Sequence, residues 1–259
     1  MAAGRWTRYV AVGDSITEGL CDPVVGRDGS FVGWADRLAA ILDGDARASG
    51  ERTEFANLAV RGRRVRDVVT RQIPRAISLH PDLVSVMVGG NDLMAARADP
   101  DALASEVETG VVALRSAGID VLLATCFDPQ FSFLRPFRGR AAVFNANLWS
   151  IARTHGTHTL DLWGIRELQD NRVWSQDRIH LSTPGHRLLA DRAAAALGVP
   201  YTDAFEEEAR TSIPPLTTTE WLRTHAIPWF GRRLRRVSLG DGMEAKLPHP
   251  IDPQGALPG

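Results

Sequence analysis

The chain has 259 residues, of which 44% are hydrophobic and 24% are charged, and its formal net charge is -1 at pH 7. This composition is that of an ordinary globular protein that buries a core of its own. The near-zero charge argues against a nucleic-acid binder that works by bulk electrostatics. The only two cysteines, Cys21 and Cys126, exclude a disulfide framework and a tetrahedral cysteine zinc site.

The start of the sequence carries no targeting signal. Residues 1–8 lack the apolar core of a signal peptide. No run reaches the roughly 18 apolar residues that are needed to span a bilayer. With two free thiols expected in a reducing compartment, the sequence predicts a cytoplasmic location.

Strand and helix patterns alternate along most of the chain. The first predicted strand starts near Val10 and breaks at Gly13-Asp14-Ser15. The other predicted strands lie at 54–59, 82–88, 120–125 and 157–161, and the predicted helices lie at 30–42, 65–73, 100–116, 140–154 and 185–197. Such alternation indicates βαβ units with right-handed crossovers, so we expect an α/β fold: a three-layer α/β/α sandwich around a mainly parallel, five-stranded sheet.

The regular pattern stops at Gly198. We therefore predict a domain at residues 1–199 and an irregular C-terminal extension at residues 200–259, which packs on or beside the domain. One helix is expected in the extension, near 218–225. The extension also holds Trp221, Trp229-Phe230 and the arginine-rich run 232–236.

Four short motifs follow predicted strands or precede the last helix. They are Gly13-Asp14-Ser15, the segment from Asn57 to Gly62, Gly89-Gly90-Asn91-Asp92, and Asp177-Arg178-Ile179-His180. Because ligands bind at the carboxyl edge of open α/β sheets, we expect these motifs to lie together there. Acyl transfer needs a hydroxyl nucleophile, an imidazole that takes its proton, a carboxylate that orients the imidazole, and donors for the oxyanion. The four motifs supply all of these residue types.

In order and content, the four motifs resemble those of the SGNH, or GDSL-type, hydrolase family, over roughly residues 10–197. The resemblance implies the SGNH hydrolase fold, with a flavodoxin-like five-stranded sheet in the domain at 1–199. It implies that Ser15 is the nucleophile, His180 the general base and acid, and Asp177 the carboxylate that orients His180. The implied oxyanion hole consists of the Ser15 and Gly62 N–H groups and the Asn91 amide. Neither a cofactor nor a metal is implied.

The resulting hypothesis is a serine esterase that hydrolyses carboxylic esters through a Ser-His-Asp triad and an acyl-enzyme intermediate. With the same chemistry, the chain could be an acyl-CoA thioesterase, or a lysophospholipase or deacetylase. A catalytically silent binding module is an alternative of another class. The expected partner is a small-molecule or lipid ester and not a nucleic acid; the sequence does not indicate an oligomeric state.

The remaining candidates have structural interpretations beside the functional ones. We expect Asp14 and Asp92 to brace loops, and Cys126 to be a buried thiol near the site. The aromatic loop at 127–137 either forms an acyl pocket or only packs. The arginine and tryptophan residues of the extension either fold over the domain or form a peripheral membrane strip. For five histidines we expect surface or structural positions: His80, His155, His158, His225 and His249.

Overall fold

The structure, a computed structural model, describes residues 6–24, 31–130, 134–202, 218–221, 223–224, 240 and 242–255. Its strands are β1 (Arg8–Gly13), β2 (Glu54–Asn57), β3 (Leu83–Met87), β4 (Asp120–Ala124), β5 (His158–Leu160) and β6 (Leu247–Ile251). Its helices are α1 (Ser15–Glu18), α2 (Trp34–Arg47), α3 (Val65–Asp67), α4 (Ile73–Ser78), α5 (Gly90–Leu93), α6 (Pro100–Ser116), α7 (Arg138–His155), α8 (Thr183–Leu197) and α9 (Thr218–Trp221). The expected order of strands and helices is confirmed.

The strands form one sheet in the order β5-β4-β3-β1-β2-β6. Five strands run parallel, because β1 pairs in parallel with both β2 and β3, and β4 lies in parallel between β3 and β5. The carboxyl ends of these strands consequently share one edge. This parallel arrangement confirms the predicted α/β fold.

Alternating residues of the central strand bury two different cores. Tyr9 and Ala11 pack with α2 and α8 on one face of the sheet. Val10 and Val12 pack with α6 and α7 on the other face. All four side chains are fully buried. A strand that is apolar on both faces needs helices on both sides, which is the physical basis of the three layers.

Over the described residues the sheet has six strands, not the predicted five, because β6 comes from the C-terminal extension. This strand pairs antiparallel with β2, with Ile251 opposite Phe55 and Leu247 opposite Asn57. Its sequence contains Pro248 and was therefore expected to be irregular. Proline lacks a backbone donor but is tolerated on an edge strand, which is the position of β6.

A buried ion pair holds the extension onto α2. Lys246 Nζ donates to Asp36 Oδ2 at 2.8 Å and to the carbonyl oxygens of Val32 and Phe31 at 2.6 and 3.1 Å. Asp36 is only 2% exposed. Burial raises the pKa of the Asp36 carboxyl to about 6 although Lys246 opposes the shift. The Asp36 side chain therefore depends on the Lys246 ammonium group to stay ionised.

We expect Lys246→Ala to lower the free energy of unfolding by about 3–5 kcal/mol, because it leaves the Asp36 carboxylate buried without a cation. The measurement is urea unfolding at neutral pH. The double variant Asp36→Asn/Lys246→Ala should recover part of the loss, since it has no buried charge. A single variant as stable as the wild type would contradict this account of the extension.

Candidate active site

Ser15 lies where β1 turns into the short helix α1. The helix begins at Ser15 itself, and Asp14 precedes it as the N-cap. Asp14 Oδ1 accepts a hydrogen bond from the Ile16 N–H at 3.2 Å. The first N–H groups of a helix have no acceptor within the helix, so the Ser15 N–H points away from the helix body. Ser15 thus combines a hydroxyl with a backbone donor at the carboxyl edge of the sheet.

The turn that carries Asp177 and His180 is tightly fixed. Asp177 Oδ1 accepts from the Ser175 hydroxyl at 2.6 Å, and from the N–H groups of Ile179 and His180 at 2.9 and 3.0 Å. Arg178 adopts a left-handed conformation with φ of 58°, which closes the turn. One carboxylate oxygen therefore organises the turn, and the other is left for the imidazole.

Ser15, His180 and Asp177 form one hydrogen-bonded chain. His180 Nε2 lies 2.9 Å from Ser15 Oγ, and His180 Nδ1 lies 2.5 Å from Asp177 Oδ2. An ionised carboxylate can only accept, so Nδ1 carries a proton and donates it to Asp177. In the neutral imidazole, Nε2 then carries no proton and accepts a hydrogen bond. This is the nitrogen that faces the serine hydroxyl.

The charges of Asp177 and His180 stabilise each other. Burial alone would raise the pKa of Asp177, but the hydrogen bond from His180 and its charge outweigh burial and hold that pKa well below its usual range. Burial alone would lower the pKa of His180, yet the hydrogen bond to Asp177, the nearby Cys21 and the Asp177 charge together raise it to about 10. The site therefore stabilises an imidazolium paired with a carboxylate.

Gly62 and Asn91 reach the same edge of the sheet from the loops after β2 and β3. Gly62 has φ of 75°, a conformation that favours glycine. Asn91 Nδ2 donates to Asp14 Oδ2 at 3.3 Å and to the carbonyl oxygen of Arg63 at 3.1 Å. The Asn91 amide consequently links the residue before Ser15 to the residue after Gly62. All five predicted site residues lie on the elements that meet at this edge.

Other polar residues of the four motifs brace the loops. Asn57 Nδ2 donates to the Thr17 carbonyl oxygen at 2.8 Å, and Asn57 Oδ1 accepts from the Ala59 N–H at 3.1 Å. Asp92 Oδ2 accepts from the Val65 N–H at 3.1 Å. Burial raises the pKa of Asp92, as it does that of Asp14, to about 6. These contacts agree with the bracing that was expected of both aspartates.

The sequence did not indicate that two further residues, Cys21 and His186, lie near the hydrogen-bonded side chains of the site. Cys21 has φ of 72° and sits beside His180. His186, which is fully buried on α8, accepts from the Trp34 N–H at its Nδ1 (3.1 Å) and lies 3.2 Å from the Leu20 carbonyl oxygen at its Nε2. Burial lowers the pKa of His186 to about 4, so it stays neutral. His186 therefore binds the residue before Cys21, which lies beside His180. In the sequence both residues resemble ordinary core positions.

One group of potential metal ligands lies at the site. Within the part of the chain that the structure describes, the only group of three suitable ligands comprises Cys21, Asp177 and His180, whose ligand atoms lie within 4.8 Å of one another. Two of these residues already bind each other through the hydrogen bond between His180 Nδ1 and Asp177 Oδ2. Occupation by a metal would take the imidazole away from Ser15.

The described residues include only part of the aromatic loop and part of the extension. Phe127 packs against Trp174 with ring centroids 4.7 Å apart. Phe131 and Phe133 lie outside the described residues, as do Trp229-Phe230 and the arginine-rich run 232–236. The acyl-pocket and membrane-strip interpretations therefore remain predictions. None of the helices in the described ranges has the length and apolar character needed to cross a membrane.

Comparison with known families identifies the family to which the chain belongs. The profile of the GDSL-like lipase/acylhydrolase family matches residues 11–188, the stretch that carries all four motifs. The chain belongs to this family. Its members are acylhydrolases, so the chain is a carboxylic ester hydrolase. Comparison with curated proteins gives no match.

Solved structures share the fold of this GDSL-like chain. LAE5, an alpha/beta hydrolase enzyme from the metagenome of Lake Arreo, Spain, is 27% identical with a TM-score of 0.64, over 78% of this chain and 99% of its own. Axe2, an acetylxylan esterase from Geobacillus stearothermophilus, is 21% identical with a TM-score of 0.63, over 79% of this chain and 100% of its own. The likeness to Axe2 establishes the fold alone.

The contact between Cys21 and His180 predicts a shift in the titration of the imidazole. We expect Cys21→Gly to lower the pKa of His180, because the variant loses a sulfur atom that lies within 4.8 Å of a nitrogen of the ring and favours its charged form. Glycine also accepts φ of 72° without strain. The measurement is a nitrogen NMR titration of the labelled histidine ring. Cys126→Ser is the matched control and should leave the midpoint unchanged. Equal midpoints in the wild type and Cys21→Gly would refute this role of the thiol.

Proposed function

We propose that this hydrolase is a serine esterase, which cleaves carboxylic esters with Ser15 as nucleophile, His180 as general base and acid, and Asp177 as the carboxylate that orients the imidazole. The observation that carries the proposal is the continuous chain of contacts, 2.9 Å from Ser15 Oγ to His180 Nε2 and 2.5 Å from His180 Nδ1 to Asp177 Oδ2. These distances suit proton transfer between nucleophile and base.

In the first step the Ser15 hydroxyl attacks the ester carbonyl while its proton passes to His180 Nε2. The imidazolium formed in this step is stabilised by the partly buried Asp177 carboxylate, which accepts from Nδ1. His180 then donates the proton to the leaving alcohol, and an acyl group remains on Ser15 Oγ. Water, activated by the same imidazole, releases the acid. His180 must be neutral at the start, so its raised pKa predicts activity that increases with pH.

The oxyanion of the tetrahedral intermediate needs donors that are in place before the reaction. The Ser15 N–H at the start of α1 and the Gly62 N–H are two such donors in this proposal. The Asn91 amide is the third. It contacts Asp14 and the Arg63 carbonyl oxygen at 3.3 and 3.1 Å in the resting structure, and one of these hydrogen bonds is exchanged for the oxyanion.

Within the class of carboxylic esters, the structural neighbours favour an acetyl ester. Axe2 is an acetylxylan esterase, and variants described as its catalytic mutants replace a serine, an aspartate and a histidine three positions after that aspartate. Asp177 and His180 have the same spacing. A panel of p-nitrophenyl esters from acetate to palmitate tests this preference, with acetate expected to give the highest kcat/KM.

We also propose that residues 1–199 form the hydrolase domain, which supplies all the groups that take part in the reaction. Residues 200–259 then form an extension that braces this domain. All residues of the proposed triad and oxyanion hole lie before residue 199. The antiparallel pairing of β6 with β2 supports a bracing role for the extension.

Ser15 and His180 should act as one unit. We expect Ser15→Ala and His180→Ala each to reduce kcat/KM for p-nitrophenyl acetate by several orders of magnitude, and the double variant to lose little more. His155→Ala is the matched control, because His155 also contacts a carboxylate, that of Glu108 at 2.8 Å, on helices away from the site. It should keep full activity. Losses that multiply in the double variant would contradict the shared role, and full activity in Ser15→Ala would contradict the proposed function.

A further inference from the structure

A buried carboxylate joins the helix that begins at Ser15 to the loop that contains Gly62. Glu18 is the last residue of α1 and is 6% exposed. Its Oε2 accepts from the Arg61 N–H at 2.6 Å. The Arg61 guanidinium donates to the same carboxylate, from Nε at 2.9 and 3.1 Å and from its terminal NH2 group. Both oxygens of Glu18 are therefore committed to a single residue.

This contact lies between the two proposed backbone donors of the oxyanion hole. Ser15 and Glu18 are the ends of the same single-turn helix, and Gly62 directly follows Arg61. The Gly62 N–H lies in the peptide plane that joins Arg61 to Gly62. A shift of the Arg61 backbone would consequently turn this N–H relative to Ser15.

We propose that Glu18 and Arg61 are positioning residues that fix the Gly62 N–H relative to Ser15, so that both N–H groups reach the same oxyanion. The inference rests on the proposed function of the site. Because the Glu18 carboxylate accepts from the backbone N–H as well as from the guanidinium, it determines the position of the loop and not only that of a side chain.

Other parts of the chain also contact this loop. The Arg61 guanidinium stacks over the Phe31 ring at 5.5 Å. Gly240, in the extension, lies so close that a Cβ atom there would be 2.1 Å from the Arg61 carbonyl oxygen. The Arg63 guanidinium donates to the Gly240 carbonyl oxygen at 3.1 Å. Gly240, in the C-terminal extension, thus contacts the loop at the Arg61 carbonyl group and at the Arg63 side chain.

The chemistry of the contact predicts how it can be broken. In Glu18→Gln the side chain keeps its size, but its amide NH2 group faces a guanidinium, and two donors cannot pair. A misplacement of about 1 Å in a catalytic group can reduce the rate about 10²-fold. The oxyanion interaction exists only in the transition state, so kcat should fall while KM stays nearly constant.

The experiment compares Glu18→Gln with the wild type and with Asp43→Asn in the hydrolysis of p-nitrophenyl acetate. Asp43 is a matched control because it is equally buried, accepts from the Thr53 N–H at 3.1 Å and from Arg47 Nε at 2.5 Å, and lies by the amino end of β2, at the opposite edge of the sheet. Both variants should lower the melting temperature. Only Glu18→Gln should reduce kcat, by about 10- to 100-fold with KM within about twofold.

Two further variants keep the test decisive if Glu18→Gln does not fold. Both Arg61→Lys and Arg61→Ala retain the backbone N–H, but only Arg61→Lys keeps a positive charge beside Glu18, so it should lose less kcat than Arg61→Ala. Unchanged kcat in folded Glu18→Gln or in Arg61→Ala would overturn the positioning role, and so would an equal loss in Asp43→Asn. If Ser15→Ala is inactive in the same assay, such a result leaves the proposed function intact. Full activity in Ser15→Ala would overturn both.

Discussion

Parallel pairing of β1 with its two neighbours is the constraint on which the site depends. Gly13 lies opposite Met87 of β3, and Ala11 lies opposite Asn57 of β2. This register brings the loops after three strands to one edge of the sheet. The site needs residues from all of these loops, because no single loop carries all of its functional groups. A one-residue slip of a strand would exchange its two faces and destroy both cores, so the packing that stabilises the sheet also fixes the site.

Buried carboxylates connect these loops with different partners. Asp177 binds its own turn and His180, whereas Asp14 and Asp92 use backbone and amide donors. Glu18 has a guanidinium partner instead. A buried charge is tolerated where hydrogen bonds or an opposite charge compensate it, and its loss then leaves the partner unpaired. These polar groups at the edge of the sheet are accordingly paired in the absence of substrate, which is the arrangement that electrostatic stabilisation of a transition state requires.

The sequence was sufficient for the order of strands and helices and for the grouping of the motif residues, because both follow from local periodicity and from the geometry of parallel sheets. Three features could not be obtained in this way. The strand at Leu247–Ile251 carries prolines that locally favour a loop, and only its edge position makes it a strand. The helical stretch after Val65 continues past Pro74 because a wider π-helical turn at Val68–Gln72 precedes α4. The contact of Glu18 with Arg61 joins residues 43 positions apart, which no local pattern records.

The central claim is that an acyl group is transferred to Ser15 with the help of His180. It is tested most directly by mixing the protein with p-nitrophenyl acetate, quenching in acid within the first turnovers, and locating the acetyl group by peptide mass spectrometry. The account predicts one acetyl group on the peptide that contains Ser15, and none in Ser15→Ala or His180→Ala. An acetyl group on another residue of an active wild-type chain, or rapid hydrolysis by Ser15→Ala, would contradict it.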